Sequence, residues 1–268
     1  LEQISLRLEN DEASNDPDYV RWLNLLVAPG SSLGGARPKA SVVDETGHLW
    51  IAKFPSGQDT FDVGAWEMLT HRLAIKAGVD MSEAKAQVFS TKHHTFLTKR
   101  FDRTSFGKRK HFASAMTLLG YSDGEEGASY LELVEFISSQ GANVQADLAQ
   151  LYRRIAFSMA VSNVDDHLRN HGFLWTKDGW ILSPAYDINP VETGTGLHIN
   201  ISDVDNSLEW DLLRETSPFY RLEPEEAENI LLEVKRAVQS WEKEAKALSI
   251  STLERDLKSN AFRMAFRN

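Results

Sequence analysis

The chain contains no cysteine, no long apolar run and fewer cations than anions. Without cysteine there is no thiol nucleophile, no thiolate zinc site and no disulfide. The cytoplasm is the default expectation for a disulfide-free chain. No apolar stretch approaches the ~20 residues needed to span a bilayer. The start, Leu1-Glu2-Gln3-Ile4, lacks the basic and apolar regions of a signal peptide. It also lacks a starting Met, so sequence is expected to be missing upstream. Against 39 Asp and Glu stand 29 Lys and Arg, a net charge of −10. That is the wrong sign for a sequence-independent grip on nucleic acid, whose affinity comes from neutralising phosphates. The run Lys108-Arg109-Lys110-His111 is a local exception, read as a solvated loop. Internal repeats and low-complexity segments are absent too.

What is present is ordinary for a globular protein. The 268 residues are 42% hydrophobic and 25% charged, enough for one or two domains with a sizeable core. The first third reads as β-rich. Residues 39–43 and 48–54 are short apolar and β-branched runs around the turn Asp44-Glu45-Thr46-Gly47, a hairpin. Residues 61–77 carry Trp66, Leu69, Leu73 and Ala74 at helical spacing, with Gly78 placed to end the helix. A strand is expected over 95–101, leading into a polar junction at 102–110. The remainder reads as helical. Residues 146–162 place Leu148, Leu151, Ile155 and Met159 on one stripe, and a single helix is expected over 224–248. A second hairpin, 172–176 and 180–182, turns at Lys177-Asp178-Gly179.

Three segments can carry chemistry. The loop from Gly30 to Lys39 holds Gly34 and Gly35, which allow a backbone to approach phosphate oxygens closely, with Arg37 and Lys39 adding positive charge. It is not a Walker A motif, because no Gly-Lys-Ser/Thr follows. Lys53 lies in the apolar run Trp50-Ile51-Ala52-Lys53-Phe54, where a charge is costly unless paired. Glu67 on the next helix is a plausible partner, the arrangement by which a kinase orients its phosphate-binding lysine. An edge-strand lysine facing water is the alternative. The third segment is Ser162-Asn163-Val164-Asp165-Asp166-His167-Leu168-Arg169-Asn170, between a helix and a hairpin. Asp165 precedes Asn170 by five positions, the spacing of a kinase catalytic loop. The hairpin returns the chain to Ser183-Pro184-Ala185-Tyr186-Asp187, so Asn170 and Asp187 could share one Mg²⁺. His167 is read by default as a hydrogen-bonded structural histidine, and His93-His94 as a solvated turn. His167 and His171 with a carboxylate form a rival transition-metal site, argued against by Gly172.

With these pieces in this order, the sequence resembles the HipA family of serine/threonine protein kinases, the toxins of bacterial toxin–antitoxin pairs. The resemblance rests on residues 31–39, Ile51-Ala52-Lys53-Phe54-Pro55, Lys99-Arg100-Phe101-Asp102-Arg103, the loop 163–170 and the segment 183–187. Leu197-His198-Ile199-Asn200-Ile201 adds a weaker match, and the whole covers residues 30–205.

The resemblance implies a two-lobe, kinase-like α/β (α+β) fold, with a β-rich N-lobe over residues 1–101 and a mainly helical C-lobe over 102–268. It implies ATP and Mg²⁺ as cofactors and Asp165 as catalytic base, with Asn170 and Asp187 on the metal. Lys53, positioned by Glu67, would contact the ATP phosphates, alongside Gly34, Gly35, Ala36, Arg37 and Lys39. Backbone groups at Lys99 and Phe101 would face adenine, and His167 is carried as a further candidate beside the nucleotide. Ser32, or its neighbour Ser31, matches a position that family members autophosphorylate to switch themselves off. The partners implied are a protein substrate such as an aminoacyl-tRNA synthetase and a HipB-like helix-turn-helix antitoxin. DNA would be reached only through the antitoxin, and no membrane contact is expected.

Two departures stand out. The family has a further N-terminal subdomain, expected here as a separate polypeptide or a truncation. Asp166 replaces a smaller residue and is expected to alter metal binding, or to share charge with Asp165 and raise one pKa. A pseudokinase serving as a repressor-complex subunit, and a small-molecule or lipid kinase on the same fold, are the alternatives. A metal-dependent hydrolase using Asp165, Asp166 and His167 is more remote.

Overall fold

The computed structural model describes residues 1–10, 12–26 and 37–267. The chain divides into two compact units: Leu1–Met68 with Ser82–Lys108, and Leu69–Met81 with Arg109–Asn268.

The first unit opens with helices α1 (Glu2–Leu8) and α2 (Tyr19–Leu26). Strands β1 (Lys39–Val43) and β2 (Leu49–Lys53) follow, then helix α3 (Val63–Lys76), which begins in this unit and ends in the other. Strands β3 (Ala84–Val88) and β4 (His94–Lys99) complete an antiparallel sheet in the order β1-β2-β4-β3. Asp44 builds the β1–β2 turn. Its Oδ1 accepts the backbone N–H groups of Thr46 and His48, both at 2.9 Å, and its Oδ2 accepts Trp50 Nε1 at 2.8 Å. Strand alternation then sorts the side chains. Ala40, Trp50, Ala52 and Leu97 form a buried cluster with Phe54, against which Leu26 and Val42 pack. Lys39, Lys53 and Phe96 share the opposite face, because they stand opposite one another in the β1–β2–β4 register.

The two N-terminal helices are short and went unrecognised in the sequence pattern. Carboxylates hold α1 in place. Glu2 Oε1 accepts Thr91 N–H at 2.9 Å and Ser90 Oγ at 3.0 Å, while Glu2 Oε2 accepts Thr95 Oγ1 at 2.8 Å. Glu9 accepts Gly57 N–H at 2.7 Å, fixing the loop just beyond β2. The start of α3 is fixed by Asp62, whose Oδ1 accepts both Ala65 N–H and His94 N–H. His94 is therefore not the solvated turn residue expected. Its ring Nδ1 lies 2.6 Å from Asp62 Oδ2. Gly64 permits this approach, since a Cβ there would sit 2.0 Å from the His94 carbonyl oxygen.

In the second unit β5 (Phe112–Ser114), β6 (Gly172–Thr176) and β7 (Gly179–Leu182) form an antiparallel sheet in chain order. Helices α4 (Ala115–Leu119), α5 (Tyr130–Gln140) and α6 (Val144–Ala160) precede β6, and α7 (Trp210–Thr216), α8 (Pro224–Gln239), α9 (Trp241–Ala247) and α10 (Thr252–Lys258) follow β7. Helix α6 is the centre of the unit, with Leu148, Leu151, Tyr152, Ile155, Ala156, Phe157, Met159 and Ala160 all buried. The single helix expected over 224–248 is two. Ser240 Oγ donates to the Ala237 carbonyl at 2.7 Å, competing with the helical ladder. The chain turns there, and Trp241 stacks on Phe262 at 4.5 Å between ring centroids. No helix among the described residues is long and apolar enough to cross a membrane.

Replacing Gly64 by Ala forces α3 and the start of β4 apart. Gly64→Ala is expected to lower unfolding free energy by about 2 kcal/mol in urea titration. A wild-type midpoint would show that the close approach is not a constraint.

Candidate active site

In the first unit, Lys53 closes strand β2. That strand is internal, so the edge-strand alternative does not hold. The Lys53 side chain is 11% exposed, and its Nζ lies 2.5 Å from Glu67 Oε1 on the buried face of α3. The ammonium also lies 5.9 Å from the centroid of the Phe96 ring. Lys39 stands directly opposite Lys53 in the register, on the same face. Arg37 is already matched: its guanidinium grips Asp59 through two hydrogen bonds, and Asp59 also accepts Ser56 N–H at 2.8 Å. Gly34, Gly35, Ala36, Ser31 and Ser32 lie outside the described residues.

At the far end of β4, Lys99 N–H donates to the Glu83 carbonyl at 2.8 Å, and Lys99 Nζ is 3.4 Å from the Glu83 carboxylate. Phe101 follows in a half-buried turn. Arg100 forks onto Asp102, which Arg103 also engages. A cavity of about 190 Å³ lies here, lined by His48, Leu49, Lys99, Arg100, Arg103 and Thr104. The sequence pattern gave no sign of it.

In the second unit, the Asp–Asn loop leaves the end of α6 through Ser162, which has left-handed backbone (φ 51°). Ser162 Oγ donates to the Ala261 carbonyl at 2.8 Å and accepts from Arg263 at 3.1 Å. Asn163 Oδ1 accepts Asn189 N–H at 3.1 Å. Asp165 is exposed. Asn170 is buried, and its Nδ2 donates to the Asp165 carbonyl at 3.0 Å. The amide oxygen of Asn170 is thereby left for another partner. Asp187 has φ 59°, unusual for a residue with a side chain, and accepts from Asn189 Nδ2 at 3.4 Å. Tyr186 Oη donates to the Arg169 carbonyl at 2.7 Å. The immediate neighbours of Asp187 and Asn170 are thus in contact.

Asp166 departs from expectation. Its side chain turns inward and is buried. Oδ1 lies 2.9 Å from His171 Nε2, while Oδ2 accepts Tyr130 Oη at 2.5 Å and Ser158 Oγ at 3.2 Å. Burial alone would push its carboxyl up. The His171 charge and the hydrogen bonds from His171, Tyr130 and Ser158 outweigh that and hold it below the ordinary value. No raised pKa arises at Asp166. His167 also corrects the reading: its buried Nδ1 has no hydrogen-bond partner among the described residues, and its ring lies edge-on to His198 at 6.1 Å.

Several supporting residues were missed. Tyr130 could have been found, because Ser129-Tyr130-Leu131-Glu132 has the pattern of a capping box and forms one. Arg154 on α6 donates to the Ser183 carbonyl at the start of the Asp187 segment, and burial pushes its guanidinium down to about 10.

The donor chemistry suits magnesium. Asn170 and Asp187 offer only oxygen, and two protein oxygens leave room for phosphate and water. The rival site with His167 and His171 is not assembled: His171 Nε2 is taken by Asp166, which leaves its ring only Nδ1. Among the described residues no cluster of three or more His, Asp or Glu is placed to hold a metal.

A lysine paired to a helix glutamate, an Asp–Asn loop and a following Asp, on a small antiparallel sheet joined to a helical unit, define a kinase-like protein. Residues 31–241 match the family model for the HipA-like C-terminal domain, and the chain belongs to that family. Over 180 residues it is 28% identical to a Haemophilus influenzae (strain ATCC 51907 / DSM 11121 / KW20 / Rd) protein with the name "Putative kinase", covering 59% of this chain and 52% of that protein. The fold is similar to that of a HipA chain in the Shewanella oneidensis MR-1 complex of HipA, HipB and operator DNA. There the TM-score is 0.67 at 20% identity, over 90% of this chain and 64% of that one. It is also similar to the Helicobacter pylori proinflammatory kinase CtkA, with a TM-score of 0.62 at 13% identity over 89% of this chain and 90% of that one. The chain thus spans about half the length of its Haemophilus relative.

The Lys53–Glu67 pair is open to test by a double-mutant cycle. Lys53→Met strands a buried carboxylate and is expected to lower stability by about 3 kcal/mol. Adding Glu67→Gln should recover most of that loss in the same denaturation assay. A double variant as unstable as the single one would mean that the pair is not the source.

Proposed function

We propose that the chain is an ATP-dependent serine/threonine protein kinase of the HipA type. The reaction moves the γ-phosphoryl of ATP to a protein Ser or Thr hydroxyl. The observation that carries this reading is the Asp165–Asn170 latch. Asp165 is exposed, where a hydroxyl can reach it, and the Asn170 amide nitrogen is taken by the Asp165 carbonyl, so the amide oxygen is what Asn170 offers a cation. Asp165 then orients the hydroxyl and accepts its proton as the new phosphorus–oxygen bond forms and the bond from the γ-phosphorus to the bridging oxygen breaks, releasing ADP. Lys53, steered by Glu67, contacts the phosphates, and Asn170 and Asp187 hold Mg²⁺. When bound, the metal neutralises charge on the transferring phosphoryl group. Gly34, Gly35, Ala36, Arg37 and Lys39 are carried as phosphate contacts on the family's precedent. The backbone at Lys99 and Phe101 faces adenine, with His167 near the nucleotide. Most of the rate enhancement would come from positioning and charge neutralisation.

The proposed lobes are residues 1–101 and 102–268, and the proposed compartment is the cytoplasm. The proposed acceptor is a protein, with an aminoacyl-tRNA synthetase as the family's precedent. A HipB-like antitoxin is the proposed partner, supported by the HipB present with the similar Shewanella HipA chain. Contact with DNA would run through the antitoxin. Autophosphorylation at Ser32, or at Ser31, is the proposed off switch.

The test is incorporation of labelled phosphate from ATP and Mg²⁺. Asp165→Asn is expected to lower transfer by about 10³-fold with nucleotide binding retained. A silent wild type that still binds ATP would make the chain a binding module. Label found only on a small molecule would make it a metabolite kinase. For the switch, Ser32→Ala should stay active over time while Ser31→Ala still shuts down, and the reverse pattern would move the site to Ser31.

A further inference from the structure

The Asp–Asn loop is closed twice. On its outer side Asn170 Nδ2 holds the Asp165 carbonyl at 3.0 Å. On its inner side the adjacent residues at each end, Asp166 and His171, meet at 2.9 Å. The inner latch is anchored to two helices: Tyr130 of α5 at 2.5 Å and Ser158 of α6 at 3.2 Å. The Tyr130 ring also stands edge-on to the His171 ring, at 5.6 Å and 83°. Asp166 is 4% exposed and His171 is 3% exposed, so neither can meet a substrate. Each is bonded in the chain to a residue of the proposed chemistry, Asp165 or Asn170.

We propose that Asp166 is a positioning residue: its hydrogen bonds to His171, Tyr130 and Ser158 set where the Asp165 carboxylate and the Asn170 amide oxygen stand. The inference rests on the kinase reading for the roles of Asp165 and Asn170. The physical case lies in how the contacts are arranged. A buried carboxylate is an expensive way to fill space, and a well-packed apolar side chain often serves as well or better for stability. Here the carboxylate takes donors from α5, α6 and the residue leading into β6 at once, so the loop between Asp166 and His171 cannot shift without breaking a bond to the helical body. A misplacement of about 1 Å at a reacting group can lower a rate by about 100-fold. Groups that orient metal ligands from outside commonly change metal affinity by about 10- to 100-fold.

The experiment compares wild type, Asp166→Asn, Tyr130→Phe and Asp165→Asn. It measures kcat, KM for ATP, Mn²⁺ affinity in the presence of a non-hydrolysable ATP analogue by electron paramagnetic resonance, and thermal melting. Asp166→Asn is expected to lower kcat by about 10- to 100-fold with KM for ATP within about twofold of wild type. Its Mn²⁺ affinity should fall by about tenfold. Wild-type kcat and Mn²⁺ affinity, at any melting temperature, would make Asp166 structural only and overturn the proposal. Where Asp166→Asn does not fold, Tyr130→Phe decides, since it removes one donor of three. About threefold losses in both kcat and Mn²⁺ affinity support the proposal, and wild-type values sink it. The Mn²⁺ measurement needs no turnover, so it reads the inference even in a chain that transfers no phosphate. A fully active Asp165→Asn would instead remove Asp165 as the base, and a wild type that transfers no phosphate would remove the kinase reading, whatever the Asp166 variants do.

Discussion

A carboxylate buried beneath the Asp–Asn loop organises much of the second unit. An ionised Asp taken out of water is unfavourable by several kcal/mol unless charge and hydrogen bonds replace its hydration. Asp166 has both oxygens engaged by three donors from separate elements. The loop, the start of α5, the last turns of α6 and the residue leading into β6 must therefore sit where those donors converge. Backbone strain nearby follows the same logic. Ser162 takes a left-handed conformation because its hydroxyl is fixed between the Ala261 carbonyl and Arg263, so the C-terminal segment holds the loop's entrance as the helices hold its floor.

The first unit solves a parallel problem with the signs reversed. Lys53 is a cation on an internal strand, and Glu67 supplies the counter-charge from α3. The pairing depends on the helix register, and the register depends on Asp62 and Gly64 docking the helix start against His94. A contact at one end of α3 thus places a carboxylate one turn further along. The apolar cluster of Ala40, Trp50, Ala52 and Leu97 lies on the other face of the same sheet and closes on Phe54 and Leu26, so the two-residue period keeps Lys53 apart from it.

Much of this was legible in the residues. The β1–β2 hairpin, α3, α6 and the β6–β7 hairpin follow from periodicity and turn residues, and the Lys53–Glu67 pair follows from the improbability of an unpaired lysine among Trp50, Ile51, Ala52 and Phe54. The rest was hidden for physical reasons. Helices α1 and α2 are too short for a periodic signal, and α1 is held by Glu2 and the adjacent Glu9 through tertiary hydrogen bonds that no local pattern encodes. Strand β3 is a polar edge strand, so alternation is weak. Ser240 reads as a tolerable helix residue until Phe262 is seen waiting for Trp241. Asp166 looked like a second acidic group in a metal site because sequence adjacency to Asp165 suggests proximity of side chains. In the folded loop consecutive side chains point apart, one to solvent and one to the interior.

The acidity of the chain bears on how an anion could be received at all. Near the proposed phosphate contacts the cations come with carboxylates: Lys53 with Glu67, and Arg37 with Asp59. The cluster at Lys99, Arg100 and Arg103 is likewise faced by Glu83 and Asp102. With a net charge of −10, the long-range field does not draw in a polyanion. Recognition must then come from short-range geometry and from counter-charge that arrives with the ligand. Asn170 and Asp187 fit that requirement on the proposed reading, because an amide and a carboxylate oxygen bind a hard divalent cation and gain nothing from a bare phosphate. The charge distribution therefore favours a metal–nucleotide complex over a free anion, and favours a site whose selectivity resides in loop geometry rather than in overall charge.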